Sequence, residues 1–123
     1  MDQWAKGAEM ENCIFCKIVN KEIPSELVFE DDQIVAFNDI NPQAPVHILI
    51  IPKEHFASLN DIPEEKEDVL NHILLRARQI ARNMGIDERG YRIVLNTGRD
   101  SGQEVFHIHF HLFGGRRMTW PPG

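Results

Sequence analysis

Three of the six histidines crowd into one short run, Phe106-His107-Ile108-His109-Phe110-His111-Leu112. Side chains of an extended segment alternate between two faces, so His107, His109 and His111 share one face. Phe106, Ile108, Phe110 and Leu112 share the other and suit a core. A helix would splay residues two apart, so the run reads as a strand. Aligned imidazoles are costly filler, because every buried ring nitrogen needs a partner. Three uses compete: a solvated sheet face, a metal site and a catalytic strand. Same-face neighbours lie about 6.6–7 Å apart along a strand, so three successive rings reach one ion only by strong convergence. A catalytic strand uses that spacing directly, one neutral ring acting while its neighbours orient it and hold substrate. The flanks favour this use: Asn96 to Glu104 is a polar, Gly-containing loop able to turn amides toward an anion, and Gly114-Gly115 follows.

Other residues carry chemistry of their own. Cys13-Ile14-Phe15-Cys16 holds the only two cysteines, too close together to staple a fold and half of a tetrahedral zinc set. Two buried, apolar-like thiols are the competing reading. His47 falls in a strand-like segment, His55 follows it, and His72 lies between apolar helix positions, where solvent exposure without a role is expected.

These residues need elements to position them. Ile14 to Lys21 allows two helical turns, stopped before Pro24. Leu27–Glu30 and Ile34–Phe37 read as paired strands around the turn residues Asp31-Asp32-Gln33. Asn41 to Pro45 is a break, and Val46–Ile51 is a strand ended by Pro52. The long helix is expected to start at Pro63, with Glu64, Glu65, Glu67 and Asp68 at its positive end and Gly85 as its cap. Val69, Leu70, Ile73, Leu74, Ala77, Ile80, Ala81 and Met84 form its apolar stripe. Tyr91–Asn96 and Val105–Phe113 complete about five strands, mostly antiparallel, with one main helix on a face: an α+β domain.

At 123 residues the chain fits one domain, read as 10–123, with residues 1–9 a flexible amino-terminal extension. Hydrophobic residues at 42 % and charged residues at 26 % exclude disordered and fibrous classes. The formal net charge of −6 disfavours a grip on nucleic-acid polymers but not on one nucleotide, which backbone amides can hold. No apolar run approaches the ~20 residues of a membrane span. The start has no secretion pattern, which points to the reducing cytoplasm.

His107-Ile108-His109-Phe110-His111-Leu112 resembles the signature of the histidine triad (HIT) superfamily, and the likeness runs from Cys13 over nearly the whole chain. Phe37 to His47, Gly102 to Phe106 and Arg116 to Gly123 are similar to blocks of its Hint branch. The resemblance implies a purine nucleoside phosphoramidase that cleaves the P–N bond of adenosine 5′-phosphoramidate or AMP-lysine. His109 would be the nucleophile of a nucleotidyl-histidine intermediate, and His111 and His107 would hold phosphate oxygens and fix the ring network that His47 completes. Asp39 would accept the ribose hydroxyls; Phe15, Phe37 and Ile40 would flank the base; Asn96, Gly102, Gln103 and Glu104 would line the phosphate region. Glu104 departs from the serine of many Hint relatives and would contact or protonate the leaving amine. The same resemblance assigns Cys13, Cys16, His55 and His107 to a structural zinc, requires no cofactor for the reaction itself, and implies a homodimer with a continuous sheet, paired through the long helix and an adjacent strand. A dinucleoside polyphosphate hydrolase, or a nucleotide-binding partner module with little turnover, is the alternative.

Overall fold

The computed structural model describes residues 12–123, so the expected extension at 1–9 lies outside the described residues. The order is helix α1 (Ile14–Val19), strands β1 (Leu27–Glu30), β2 (Ile34–Asn38) and β3 (Val46–Pro52), helix α2 (Asp68–Asn83), then β4 (Arg92–Leu95) and β5 (Phe110–Gly114). The strands form one antiparallel sheet in the order β1-β2-β3-β5-β4. The expected α+β architecture is present.

Alternation of side chains divides the sheet into two faces. Ile34, Ala36, Ile48, Ile50, Ile108, Phe110 and Leu112 pack against Ile73, Ala77, Ile80 and Ala81 of α2. Burying each large aliphatic side chain contributes roughly 1.5–3 kcal/mol, so this face holds most of the fold's apolar stabilisation. Val35, Phe37, Leu49 and Ile51 point the opposite way, where short α1 supplies Phe15 and Ile18. Cys13 caps α1, its Sγ accepting the Cys16 amide at 3.2 Å. Since α1 covers only part of this second face, the remainder, with His47 and His111, opens into a cavity.

Three expectations are corrected. The long helix begins at Asp68 rather than Pro63: Pro63 is extended (φ −73°, ψ 156°), and Glu64–Lys66 makes a separate 3₁₀ turn. The last strand begins at Phe110 rather than Val105. Its partner β3 ends at Pro52, which has no amide to donate, so the ladder stops at the Ile50–Phe110 pair. The preceding residues bond instead to loop carbonyls, with the Ile108 amide donating to Phe56 O at 2.7 Å. Phe106, expected in the core, is consequently 47 % exposed. His72 also has a partner: its Nε2 lies 2.7 Å from Asp31 Oδ2. Asp31 Oδ1 accepts the Gln33 and Ile34 amides at 2.8 and 2.9 Å, so one carboxylate closes the β1–β2 turn and ties it to α2.

Candidate active site

The three aligned histidines do share one side, and their hydrogen bonds fix which ring nitrogen carries each proton. His109 Nδ1–H donates to the main-chain oxygen of His107 at 2.8 Å, which leaves the lone pair on Nε2. His107 Nε2–H donates to Pro52 O at 2.8 Å, the carbonyl at the end of the interrupted ladder, which leaves the lone pair on Nδ1. The Gln43 amide donates to His47 Nδ1 at 3.1 Å, so His47 carries its proton on Nε2. His47 Nε2–H faces His111 Nδ1 at 3.0 Å, and Asp39 Oδ2 lies 3.4 Å from His47 Nε2. His111 Nδ1 is therefore an acceptor, and its own proton sits on Nε2.

Burial holds these rings neutral. It pushes His111 down to about 4, helped by His109 and His47 and opposed by Asp39. Burial likewise lowers His109 against the hydrogen bond to His107 and the charge of Asp39, and lowers His47 against Asp39. A neutral His109 keeps a lone pair available at neutral pH.

A cavity of about 640 Å³ brings Phe15, Phe37, Asp39, Ile40, His47, Asn96, Gly102, Glu104, His109 and His111 together. Its walls are apolar near Phe15 and polar near the histidines. Phe15 meets His109 edge-on, with centroids 5.1 Å apart. Asp39 follows β2 directly, before the break, its Oδ1 accepting the Asn41 amide at 2.8 Å. Gly102 closes the 3₁₀ turn Arg99–Ser101 with φ +87°, a left-handed conformation that favours glycine. Ile40 is 97 % exposed, at the rim.

Two expected contacts are not placed in the cavity. The Gln103 side chain turns inward, its Oε1 accepting the Gly98 amide at 2.9 Å and its Nε2 donating to Ala57 O at 2.8 Å and Val105 O at 3.0 Å. It braces the loop rather than lining it. His107 is fully buried with both ring nitrogens occupied, so its side chain has no reach to a phosphate oxygen and acts on His109 through its carbonyl. Conversely, Ile18, Ile23, Ser25 and Gln43 also line the cavity. Ile18 and Ile23 carried only an apolar signal, and the decisive group of Gln43 is a main-chain amide, which has no residue signature.

Cys13, Cys16, His55 and His107 bring one donor atom each to within 4.8 Å of one another. His107 Nδ1 is 3.4 Å from Cys13 Sγ, 3.5 Å from Cys16 Sγ and 3.2 Å from His55 Nδ1, and Cys16 Sγ is 3.3 Å from His55 Nδ1. A tetrahedral ion with bonds of about 2.0–2.3 Å separates its donors by roughly 3.3–3.8 Å, so the spacing fits zinc. Ring directions agree. The His55 and His107 centroids are 4.9 Å apart, closer than the 5.3 Å of His47 and His111, although their facing nitrogens are farther apart. The two Nδ1 lone pairs thus slant toward a common point. In the His47–His111 pair the nitrogens face each other along one line, the geometry of a hydrogen bond rather than of shared coordination.

Residues 20–118 match the HIT domain family model. A purine nucleoside phosphoramidase of Escherichia coli K12 is 52 % identical over 108 residues, covering 88 % of this chain and 91 % of that protein. An uncharacterized HIT-like protein of Synechococcus elongatus is 51 % identical over 113 residues, covering 92 % and 98 %. The crystal structure of a HIT family hydrolase from Legionella pneumophila superposes with a TM-score of 0.89 at 56 % identity, covering 91 % of this chain and all of that one. These likenesses bear out the expectation of a HIT hydrolase, and among the described residues no helix is long and apolar enough to cross a membrane. With its sheet, its histidine run and most of its length inside the matched region, this chain belongs to the HIT domain family.

Proposed function

We propose that this enzyme hydrolyses the P–N bond of purine nucleoside 5′-phosphoramidates, such as adenosine 5′-phosphoramidate or AMP-lysine, through a nucleotidyl intermediate on His109. The observation that carries the proposal is the His109 Nδ1–H bond to His107 O, which commits the lone pair to Nε2 of a cavity-lining ring. The likeness to the E. coli phosphoramidase supports the substrate class.

The base packs against the edge-to-face pair Phe15 and Phe37, with Ile40 at the rim, and Asp39 accepts the ribose hydroxyls. Asn96 and Gly102 line the phosphate end, and Gln103 holds that loop. His111 directs Nε2–H at a phosphate oxygen, its orientation set by His47. His109 Nε2 forms a bond to phosphorus while the P–N bond breaks. The bonding pair leaves on nitrogen, which takes a proton relayed through exposed Glu104. Water then adds to phosphorus and passes a proton to Glu104, the P–Nε2 bond breaks, its pair returns to the imidazole and the nucleoside monophosphate departs. Splitting one displacement into two is the ordinary gain of covalent catalysis.

The Cys13, Cys16, His55 and His107 cluster holds zinc in this reading, as a structural tether between α1 and the histidine segment. The ion supplies charge that keeps both thiols deprotonated; without it, burial and neighbouring Cys13 push the Cys16 thiol up to about 12. Residues 10–123 form one domain of a cytoplasmic homodimer, paired through α2 and edge strand β4, where Leu74 and Met84 are 44 % and 43 % exposed. Intact mass after brief, quenched incubation with adenosine 5′-phosphoramidate tests the reaction. A nucleotidyl adduct mapped to His109 is expected, and turnover with no adduct on histidine would overturn the mechanism.

A further inference from the structure

The loop from Asn41 to Pro45 has no strand partner of its own, yet its Gln43 amide sets the tautomer of His47. Arg116 holds that loop. Its Nε donates to Gln43 O at 2.9 Å and its Nη1 to Arg117 O at 3.1 Å. The approach is built into the chain just before it: Gly115 has φ +88°, and a Cβ there would lie 2.9 Å from the Pro45 ring. Among the described residues no carboxylate pairs with Arg116, so its guanidinium serves main-chain carbonyls alone. A rigid planar fork suits this task, and the hydrogen bonds of a charged donor are stronger than neutral ones.

We propose that Arg116 is a positioning residue: by fixing Gln43 it fixes the proton of His47 on Nε2, and thereby the proton that His111 presents to the cavity. The links are continuous, from Arg116 to Gln43 O, from Gln43 N–H to His47 Nδ1, and from His47 Nε2–H to His111 Nδ1. If the Gln43 amide shifts, His47 Nδ1 regains a free lone pair and either nitrogen can carry the proton. The groups facing His47 are then Asp39 from the end of β2 and His111 and Phe113 from β5. Asp39 favours a charged ring, so the neutral state loses its structural enforcement.

Nitrogen-resolved NMR of the imidazoles in the full chain tests the tautomer, and kinetics on adenosine 5′-phosphoramidate test its consequence. Wild type is expected to show His47 protonated on Nε2 alone at neutral pH. In Arg116→Ala the His47 nitrogens are expected to shift toward a mixture, with a higher protonation midpoint and kcat about tenfold lower. KM stays within about twofold, since the residue touches no substrate. Arg116→Lys, which keeps the charge and one donor, recovers part of both effects, while Arg117→Ala, which removes equal charge but keeps the Arg117 carbonyl, matches wild type. Wild-type His47 spectra in Arg116→Ala, or equal effects in Arg117→Ala, would overturn the inference. If Arg116→Ala does not fold, Arg116→Lys carries the same comparison, and an unshifted His47 sinks it. The kinetic half rests on the proposed function; absence of wild-type turnover would remove that reading while the spectral comparison still decides this one.

Discussion

His107 and His109 are joined by a bond between a ring and a backbone: the Nδ1–H of one meets the main-chain oxygen of the other at 2.8 Å. A residue whose side chain is sealed from solvent thus sets the protonation of its neighbour. His109→Ala removes the proposed nucleophile while leaving that carbonyl in place. Turnover of adenosine 5′-phosphoramidate is expected to fall by about 10³-fold or more in a steady-state assay, with the fold retained by circular dichroism. Equal rates in variant and wild type would eliminate every reading in which His109 reacts.

Acid sensitivity follows from His47 and His111, both lowered by burial, His111 to about 4. The unfolded chain binds these protons near 6.5, before the folded chain does. Their contribution to stability is complete above that value and is lost as pH falls from 6.5 toward 4. Denaturation midpoints are expected to decline through this window, and less steeply in His111→Gln. A flat profile in wild type would contradict the neutral assignment.

Metal content gives a direct measure of the cysteine–histidine cluster. Elemental analysis of protein refolded with zinc is expected to find one ion per chain. Cys16→Ser and His55→Ala each remove a donor, so affinity should fall by at least the ~10–100-fold that even outer-sphere changes cost. Wild-type zinc content in both variants would show that the ion binds elsewhere.

Asp31 is drawn in two directions. Burial raises its carboxyl, but the Gln33 and Ile34 amides and His72 outweigh it and hold it below the usual range. Asp31→Ala loses the turn closure and the helix tie together, at a cost of about 1–2 kcal/mol by urea denaturation. His72→Ala loses only the half-exposed ion pair, about 1 kcal/mol or less. Equal losses would show that the amide bonds contribute nothing.

Association is read by sedimentation at micromolar concentration. A dimer is expected, and Leu74→Glu, which places charge on the exposed edge of the α2 stripe, should weaken it about tenfold or more. A wild-type monomer across that range would reject the pairing.

Much of this molecule is written in residue alternation. The apolar members of the histidine run, Ile108, Phe110 and Leu112, all reach the α2 face, as a period of two requires. The helix stripe, read at spacings of three and four, contains the buried Ile73, Ala77, Ile80 and Ala81, while its members Leu74 and Met84 stay exposed. What alternation could not convey was where backbone pairing stops. Pro52 was legible as the end of β3, but not the step from its missing amide to a shortened β5, an exposed Phe106 and a carbonyl left for His107. The cysteine spacing marked half of a metal set, and only family likeness added His55 and His107, because their approach to the thiols is a property of the fold. Gln43 and Arg116 lay inside the matched blocks without a role, since the working group of Gln43 is a main-chain amide and the guanidinium of Arg116 reaches a main-chain carbonyl that no residue type marks.

The placement of the cavity opposite α2 has a further consequence. Substitutions at Ser25 or Glu104 alter the cavity wall without entering either apolar cluster, least of all the large core that Ile48, Ile50 and Ile73 build on the far side. What the cavity admits and how firmly the scaffold holds are therefore separable traits, free to diverge in descendants of this gene so long as the strands between them keep their register.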